Sequence, residues 1–286
     1  MQADRNKLSL TSLLMAPGKI FKTARRVTSL PHNQPQNFLS NPRPKKTIVA
    51  CLGDSITHGT VSYNWVDVLG NRPANSELHF INAGINSSVA WQLNQRLDEI
   101  VACKPDVAIV LIGTNDVMGS FHLGDGLSYK RKGKLASVPT QRGYHLELTK
   151  LLRGLQAVKH VAVCTLPPLG EDPNSQINQL VQSFNTDIRQ IVAQENRTLI
   201  PLDEKLSPHL INSVQERPQY TPGPINRLVP ILRAITNYYI GGKTWDESGE
   251  QQGLRLLPDH IHLGEFGGEI LANLIDLYLQ GITKPR

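Results

Sequence analysis

A serine hydroxyl is a poor nucleophile at neutral pH and needs a base at hand to take its proton. This chain carries the parts for such a pairing. Ser55 stands in Gly53-Asp54-Ser55, directly after an apolar run, and Asp259 and His262 lie three residues apart in Asp259-His260-Ile261-His262. Histidine suits the role of base because its ordinary pKa, about 6.5, lies near working pH. A carboxylate on the second ring nitrogen would fix the tautomer and stabilise the cation. Acyl transfer also needs donors aimed at a developing oxyanion. The amide of Asn115, the N–H of Ser55 and a backbone N–H in the turn Asn82-Ala83-Gly84-Ile85-Asn86-Ser87-Ser88 are candidates.

Each of these residues has a plainer reading. Gly, Asp and Ser are common turn residues, so Ser55 could be a helix cap and Asn115 a turn residue only. His260 could be the base in place of His262. Asp259, His260 and His262 could ligate a metal, although no further ligand cluster such as HExxH accompanies them. His58, nearer to Ser55 in sequence, is read as pocket lining or local packing. Asp54 and Asp116 suit backbone hydrogen bonding at turns. Trp65, Trp91 and Trp245 read as core or pocket wall.

The elements that would position these residues follow from the apolar pattern. Thr47–Leu52 is a short buried strand ended by Gly53, and further strands are predicted at Leu78–Ile81, Val107–Ile112, Val161–Cys164 and Thr198–Leu202. Helices are predicted at Tyr63–Leu69, Val89–Val101, Leu146–Val158, Ile177–Gln194 and Glu265–Leu279. Strands alternating with helices imply a parallel sheet covered on both faces. In such sheets ligands bind beyond the carboxyl ends of the strands. Ser55, the Ser87 turn and Asn115 follow successive strands, so they converge on one crevice that Asp259 and His262 can reach. Gly119–Thr140 has little pattern and reads as a loop insertion or lid, or else as disordered. Ser207–Leu257 reads as a second insertion, with an apolar stretch at Leu228–Ile240.

Bulk properties exclude several classes. The 286 residues suffice for one medium α/β domain with extensions. No stretch approaches the roughly 20 apolar residues needed to span a bilayer. The net charge of +6 divides into +8 on residues 1–46, where nine Lys and Arg face Asp4 alone, and −2 on the remainder, which has no basic face suited to nucleic acid. Leu8–Val27 mixes apolar and basic residues, interrupted at Pro17-Gly18, and Ser29–Pro44 reads as an extended linker. The first part suits contact with an anionic membrane surface or organelle import. The plainer alternative is a tail or a helix packed on the domain. A continuous apolar core of secretory length is lacking. Cys51, Cys103 and Cys164 form no metal or redox motif and read as buried apolar side chains in a reducing, cytoplasmic or otherwise intracellular compartment.

Gly53-Asp54-Ser55, the Asn82–Ser88 turn, Gly113-Thr114-Asn115-Asp116 and Asp259-x-x-His262 together resemble the ordered blocks of the SGNH, or GDSL-type, hydrolases. The resemblance covers roughly Thr47 to Leu279, with both insertions outside the motifs. It implies a flavodoxin-like three-layer α/β/α sandwich with about five parallel strands, and an esterase with a Ser-His-Asp triad and no cofactor or metal. The G-x-S-x-G elbow of the α/β-hydrolases is absent around Ser55. One departure stands out. The family's second block usually ends in a glycine whose N–H joins the oxyanion hole, whereas here that position is Ser87 and the glycine is Gly84. The donor is assigned to Ser87 N–H, with Gly84 shaping the turn.

On this reading residues 47–286 form a hydrolase domain with insertions near 119–140 and 207–257, preceded by a basic extension. Ser55, His262 and Asp259 form the triad. Ser55 N–H, Ser87 N–H and Asn115 hold the oxyanion, and Asp54, Gly84, Gly113, Asp116 and His58 support the site. The expected substrate is a small-molecule carboxylic ester, lipid-like or with a small acyl group. Carbohydrate O-deacetylation, acyl transfer to another alcohol, and a catalytically silent binding protein on the same fold stand as alternatives.

Overall fold

Five short segments rich in Val, Ile, Ala and Leu pair side by side, all parallel, in the order β2-β1-β3-β4-β5. They are β1 (Thr47–Gly53), β2 (Leu78–Gly84), β3 (Val107–Leu111), β4 (His160–Cys164) and β5 (Thr198–Ile200). The computed structural model describes residues 16–211 and 219–283. The strand order is the flavodoxin-like one, and the chain reverses direction across the sheet between β1 and β3. Ile48 to Leu52 and Ala108 to Val110 are fully buried, because helices cover both faces of the sheet.

Register sets the geometry of the site. Gly53 pairs with Gly84 on one side and Leu111 on the other, so β1, β2 and β3 end level. Ser55, Ser87 and Asn115 therefore begin from a common edge. Gly84 is needed there for a close approach: a Cβ on it would lie 2.3 Å from the backbone nitrogen of His58. Asn82 locks the same junction, donating from Nδ2 to the Thr57 carbonyl at 2.9 Å and accepting from Gly84 N at 2.9 Å. Gly84 is thus a packing residue inside β2, and the turn after it is shaped elsewhere.

Several elements differ from the sequence expectation. The helix predicted across Val89–Val101 is two, Ala90–Asn94 and Leu97–Ala102. Between them the chain turns Arg96 inward, where it donates to the carbonyls of Ala83 and Gly53. Gly119–Thr140 is helical as far as Gly133: Thr114–Phe121 is followed by Leu123–Gly133, with His122 Nδ1 accepting from Asp125 N between them. The second helix buries Asp125, Gly126, Ser128 and Tyr129 and exposes Leu123 and Leu127, which inverts the usual apolar signal. Helix Ala16–Thr28 runs through Pro17 and Gly18, which do not interrupt it. The β5 strand stops at Ile200, and Leu202 opens the next helix.

The segment 29–46 is docked along the β2 edge. Asn33 accepts from Asn82 N at 3.0 Å and donates to the Phe80 carbonyl at 3.2 Å. Phe38, in the short helix Pro35–Leu39, packs on a small cluster of Ile48, Ile81 and Cys103. All three cysteines are buried and unpaired. Within Ser207–Leu257 the structure contains helices Pro224–Tyr239 and Trp245–Glu250. Residues 1–15 of the basic segment and 212–218 of the second insertion lie outside the described residues. Among the described residues no helix is long and apolar enough to cross a membrane.

Candidate active site

Asp54 ends the strand-to-helix turn and accepts from Ile56 N at 3.0 Å, capping the single-turn helix Ser55–His58. This holds the Ser55 hydroxyl at the sheet edge. His262 Nε2 lies 2.9 Å from Ser55 Oγ, and His262 Nδ1 lies 2.7 Å from Asp259 Oδ2. Asp259 Oδ1 also accepts from the backbone of Ile261 at 3.1 Å and His262 at 2.9 Å, so one carboxylate shapes the turn and orients the ring. Burial works against the Asp259 charge, but His262 and these N–H donors outweigh it and hold the carboxyl below its ordinary range. The site is nearly closed, with Ser55 7% exposed and His262 4%.

The neighbouring histidines stand apart from this chain. His260 has φ 72°, its carbonyl accepts from Gly170 N at 2.7 Å, and its buried Nδ1 has no partner among the described residues. His58 Nδ1 meets Thr60 Oγ1 at 2.8 Å, its ring lines an adjacent cavity of about 440 Å³, and burial lowers its pKa to about 4. His262, not His260, is the imidazole at Ser55. Among the described residues no group of three or more His, Cys, Asp or Glu is arranged to hold a metal ion.

The candidate oxyanion donors follow β1, β2 and β3 at the same end of the sheet as Ser55. Ser87 adopts φ 64°, a left-handed conformation more usual for glycine. Glycine, which the sequence resemblance would place at this position, adopts that conformation freely. Among the described residues neither Ser55 N–H nor Ser87 N–H donates to a protein acceptor. Asn115 Nδ2 donates to the Ser88 carbonyl at 2.9 Å and reaches Asp54 Oδ2 at 3.4 Å. Gly113, at φ 135°, caps the helix that carries Asn115, and a Cβ there would lie 2.7 Å from the Tyr144 ring. Asp116 accepts from Ala90 N at 3.0 Å, which ties this helix to the chain after the Ser87 turn. Burial pushes the carboxyls of Asp54 to about 6 and Asp116 to about 8.

Sequence reasoning missed the residues that buttress the site. Glu171, fully buried after β4, accepts from the backbone N–H groups of Arg255 at 2.8 Å, Leu256 at 2.5 Å and Leu257 at 3.0 Å. It anchors the approach to Asp259 and His262. Its place beyond the fourth strand was a visible signal. Arg96, Tyr129 and Arg227 carried none, because their partners are distant in sequence.

The sequence pattern of the GDSL-like Lipase/Acylhydrolase family matches residues 51–221, more than half of the chain. The chain belongs to this family. This GDSL-like acylhydrolase is accordingly an enzyme that hydrolyses ester bonds. The matched span includes Ser55 and Asn115 and ends before Asp259 and His262. Among curated proteins no sequence matches. Among the solved structures that share the fold are two acetylxylan esterases and a lipase/acylhydrolase. Axe2, an acetylxylan esterase from Geobacillus stearothermophilus, is 16% identical with a TM-score of 0.56, over 84% of this chain and 95% of that one. The acetyl xylan esterase AlAXEase is 17% identical with a TM-score of 0.54, over 81% and 99%. A lipase/acylhydrolase from Enterococcus faecalis is 20% identical with a TM-score of 0.54, over 84% and 98%.

Proposed function

We propose that this acylhydrolase is a serine esterase in which Ser55 attacks the acyl carbonyl of a carboxylic ester while His262 Nε2 takes the hydroxyl proton. The Ser55–His262–Asp259 hydrogen-bond chain at the β1 edge carries this reading. Asp259 holds the imidazole tautomer. Ser55 N–H, Ser87 N–H and Asn115 Nδ2 stabilise the tetrahedral oxyanion. His262 then protonates the departing alcohol, leaving an acyl-enzyme, and water repeats the sequence to release the acid. Residues 47–286 are read as the catalytic unit.

The near-closed site favours a short acyl group over a long one. O-Deacetylation of a carbohydrate is the second reading, supported by the same enclosure and by the acetylxylan esterases that share the fold. Hydrolysis of aryl esters from acetyl to long acyl by wild type and Ser55→Ala tests both. Loss of at least about 10³-fold in the folded variant is expected, with acetyl esters turned over fastest. Wild-type rates in Ser55→Ala would refute the mechanism, and a preference for long chains would refute the short-acyl assignment.

Helix Ala16–Thr28 exposes Ile20 and Phe21 beside Lys19, Lys22 and Arg25. This supports peripheral contact with an anionic membrane surface. The buried free thiols support an intracellular setting. Sedimentation with anionic vesicles should fall when the N-terminal helix is removed, and unchanged binding would refute the contact.

A further inference from the structure

Asn115 can serve an oxyanion only if its NH₂ faces the reaction and its carbonyl faces away. A side-chain amide has no intrinsic preference between the two orientations, so its neighbours must choose. In this structure the choice is made by a buried sequence of groups running through both insertions. Tyr129, from helix Leu123–Gly133, places its hydroxyl 2.7 Å from Asn115 Oδ1. Arg227, from helix Pro224–Tyr239, donates from Nη1 to that hydroxyl at 2.8 Å. The fully buried Asp125 fixes Arg227 through Nε at 2.8 Å, and its other oxygen accepts from Gly223 N at 2.8 Å.

Donor and acceptor roles then follow without freedom. Guanidinium only donates, so it occupies a lone pair of the Tyr129 oxygen. The Tyr129 proton is thereby directed to Asn115, whose accepting atom is Oδ1. Nδ2 must face the other way, toward the Ser88 carbonyl and Asp54. A flipped amide would set its oxygen against both of those oxygens. Burial raises the Tyr129 pKa, so the phenol keeps its proton over the working range. The 3.4 Å reach from Nδ2 to Asp54 Oδ2 is long for a hydrogen bond, and that donor is the one an oxyanion would take over.

We propose that Tyr129 and Arg227 are positioning residues for ester hydrolysis, forming with Asp125 a one-way hydrogen-bond relay that orients and polarises the Asn115 amide toward the oxyanion. The proposal rests on the assignment of Ser55 as nucleophile and Asn115 as oxyanion donor. It adds that the two insertions complete the oxyanion hole, since Arg227 lies beyond the span matched by the family. The positive guanidinium acts through the phenol, making the amide N–H a stronger donor as charge develops.

A double-mutant cycle on acetyl-ester hydrolysis by the full-length enzyme tests the relay. Losing an oxyanion donor outright costs about 10²–10³-fold in kcat, so loosening one should cost about 10–100-fold. Tyr129→Phe should lower kcat by that factor with KM within twofold, and Arg227→Gln should do so to a smaller extent, with Arg227→Lys recovering part of the loss. The decisive reading is coupling. In an Asn115→Ala background Tyr129→Phe should have no further effect, whereas independent roles would multiply. Affinity for a short alkylboronic acid, whose tetrahedral adduct carries the anionic oxygen, should weaken in parallel with kcat. A purely structural role would instead lower the melting temperature and leave boronate affinity in the folded fraction unchanged. Full kcat in both Tyr129→Phe and Arg227→Gln, or multiplicative losses with Asn115→Ala, would overturn the relay. If Tyr129→Phe does not fold, the same cycle run with Arg227→Gln decides. Ser55→Ala separates the two levels: its retained turnover would remove the underlying mechanism, while its inactivity beside an uncoupled Tyr129 would remove the relay alone.

Discussion

Ser87 stands where the SGNH-type pattern that the sequence resembles would place a glycine, and its backbone shows how serine is accommodated there. A serine at φ 64° is strained by contact between its Cβ and the backbone. The conformation that the glycine would adopt freely is retained, and the N–H with it. Ser87→Gly should therefore raise stability by about 1 kcal/mol in chemical denaturation and leave kcat/KM within twofold. A large loss of activity would mean that the hydroxyl, not the amide, is what matters there. Asp116 offers a second test at this scale. Burial raises its carboxyl to about 8, so the folded state binds a proton that the unfolded chain releases near about 4. The folded state therefore loses stability as pH rises from about 4 to about 8. Asp116→Asn keeps an acceptor for Ala90 N and lacks that titration, so its melting temperature should gain on wild type between pH 5 and pH 8. An equal difference at both pH values would show that Asp116 is not the group responsible. The residues proposed for the chemistry were legible because their types and strand-end positions are constrained together. Tyr129 and Arg227 were not, since a Tyr and an Arg in segments without apolar period have no local signature.

At the scale of elements, the Ser55–His262–Asp259 hydrogen-bond chain spans the fold. Ser55 follows the first strand and His262 precedes the last helix, so their 2.9 Å separation depends on how the loop before Asp259 is seated. Glu171 seats it, and Asn178 in turn shapes the loop that carries Glu171, accepting from Leu169 N at 2.9 Å and donating to the Asp172 carbonyl at 2.8 Å. Glu171→Ala leaves three N–H groups, two of them fully buried, without this acceptor. It should cost about 3 kcal/mol and lower kcat, while Glu171→Gln, which retains one oxygen acceptor, should cost about half as much. Chemical denaturation with parallel kinetics measures both, and an Ala variant of wild-type stability would refute the anchoring role. The strands were readable because a parallel sheet buried on both faces demands continuous apolar runs. The helix Leu123–Gly133 was not, because its inner face is Asp125, Gly126, Ser128 and Tyr129. The break at Arg96 was equally hidden, as it answers to strand carbonyls that no local pattern reveals.

For the molecule as a whole, the basic leader and the near-neutral body meet at the β2 edge. Asn33 and Phe38 cover that edge, which would otherwise offer unpaired backbone groups to another chain. Removing residues 1–28 should leave a monodisperse, active enzyme, whereas removing residues 1–44 should lower the melting temperature and cause concentration-dependent association in analytical ultracentrifugation. Equal behaviour of the two truncations would show that the strap carries no such duty. The Pro, Asn and Gln composition of this strap suggested an extended linker, because the hydrogen bonds that dock it lie on β2 and are invisible locally. The buried thiols beneath and within this architecture have a practical consequence. Cys103 lies under the strap beside Phe38, while Cys51 and Cys164 lie inside the sheet, and burial raises the pKa of all three. A thiol reagent therefore reads two different openings of the same native protein. Labelling of Cys103 clocks release of the strap, and labelling of Cys51 and Cys164 clocks separation of the strands themselves.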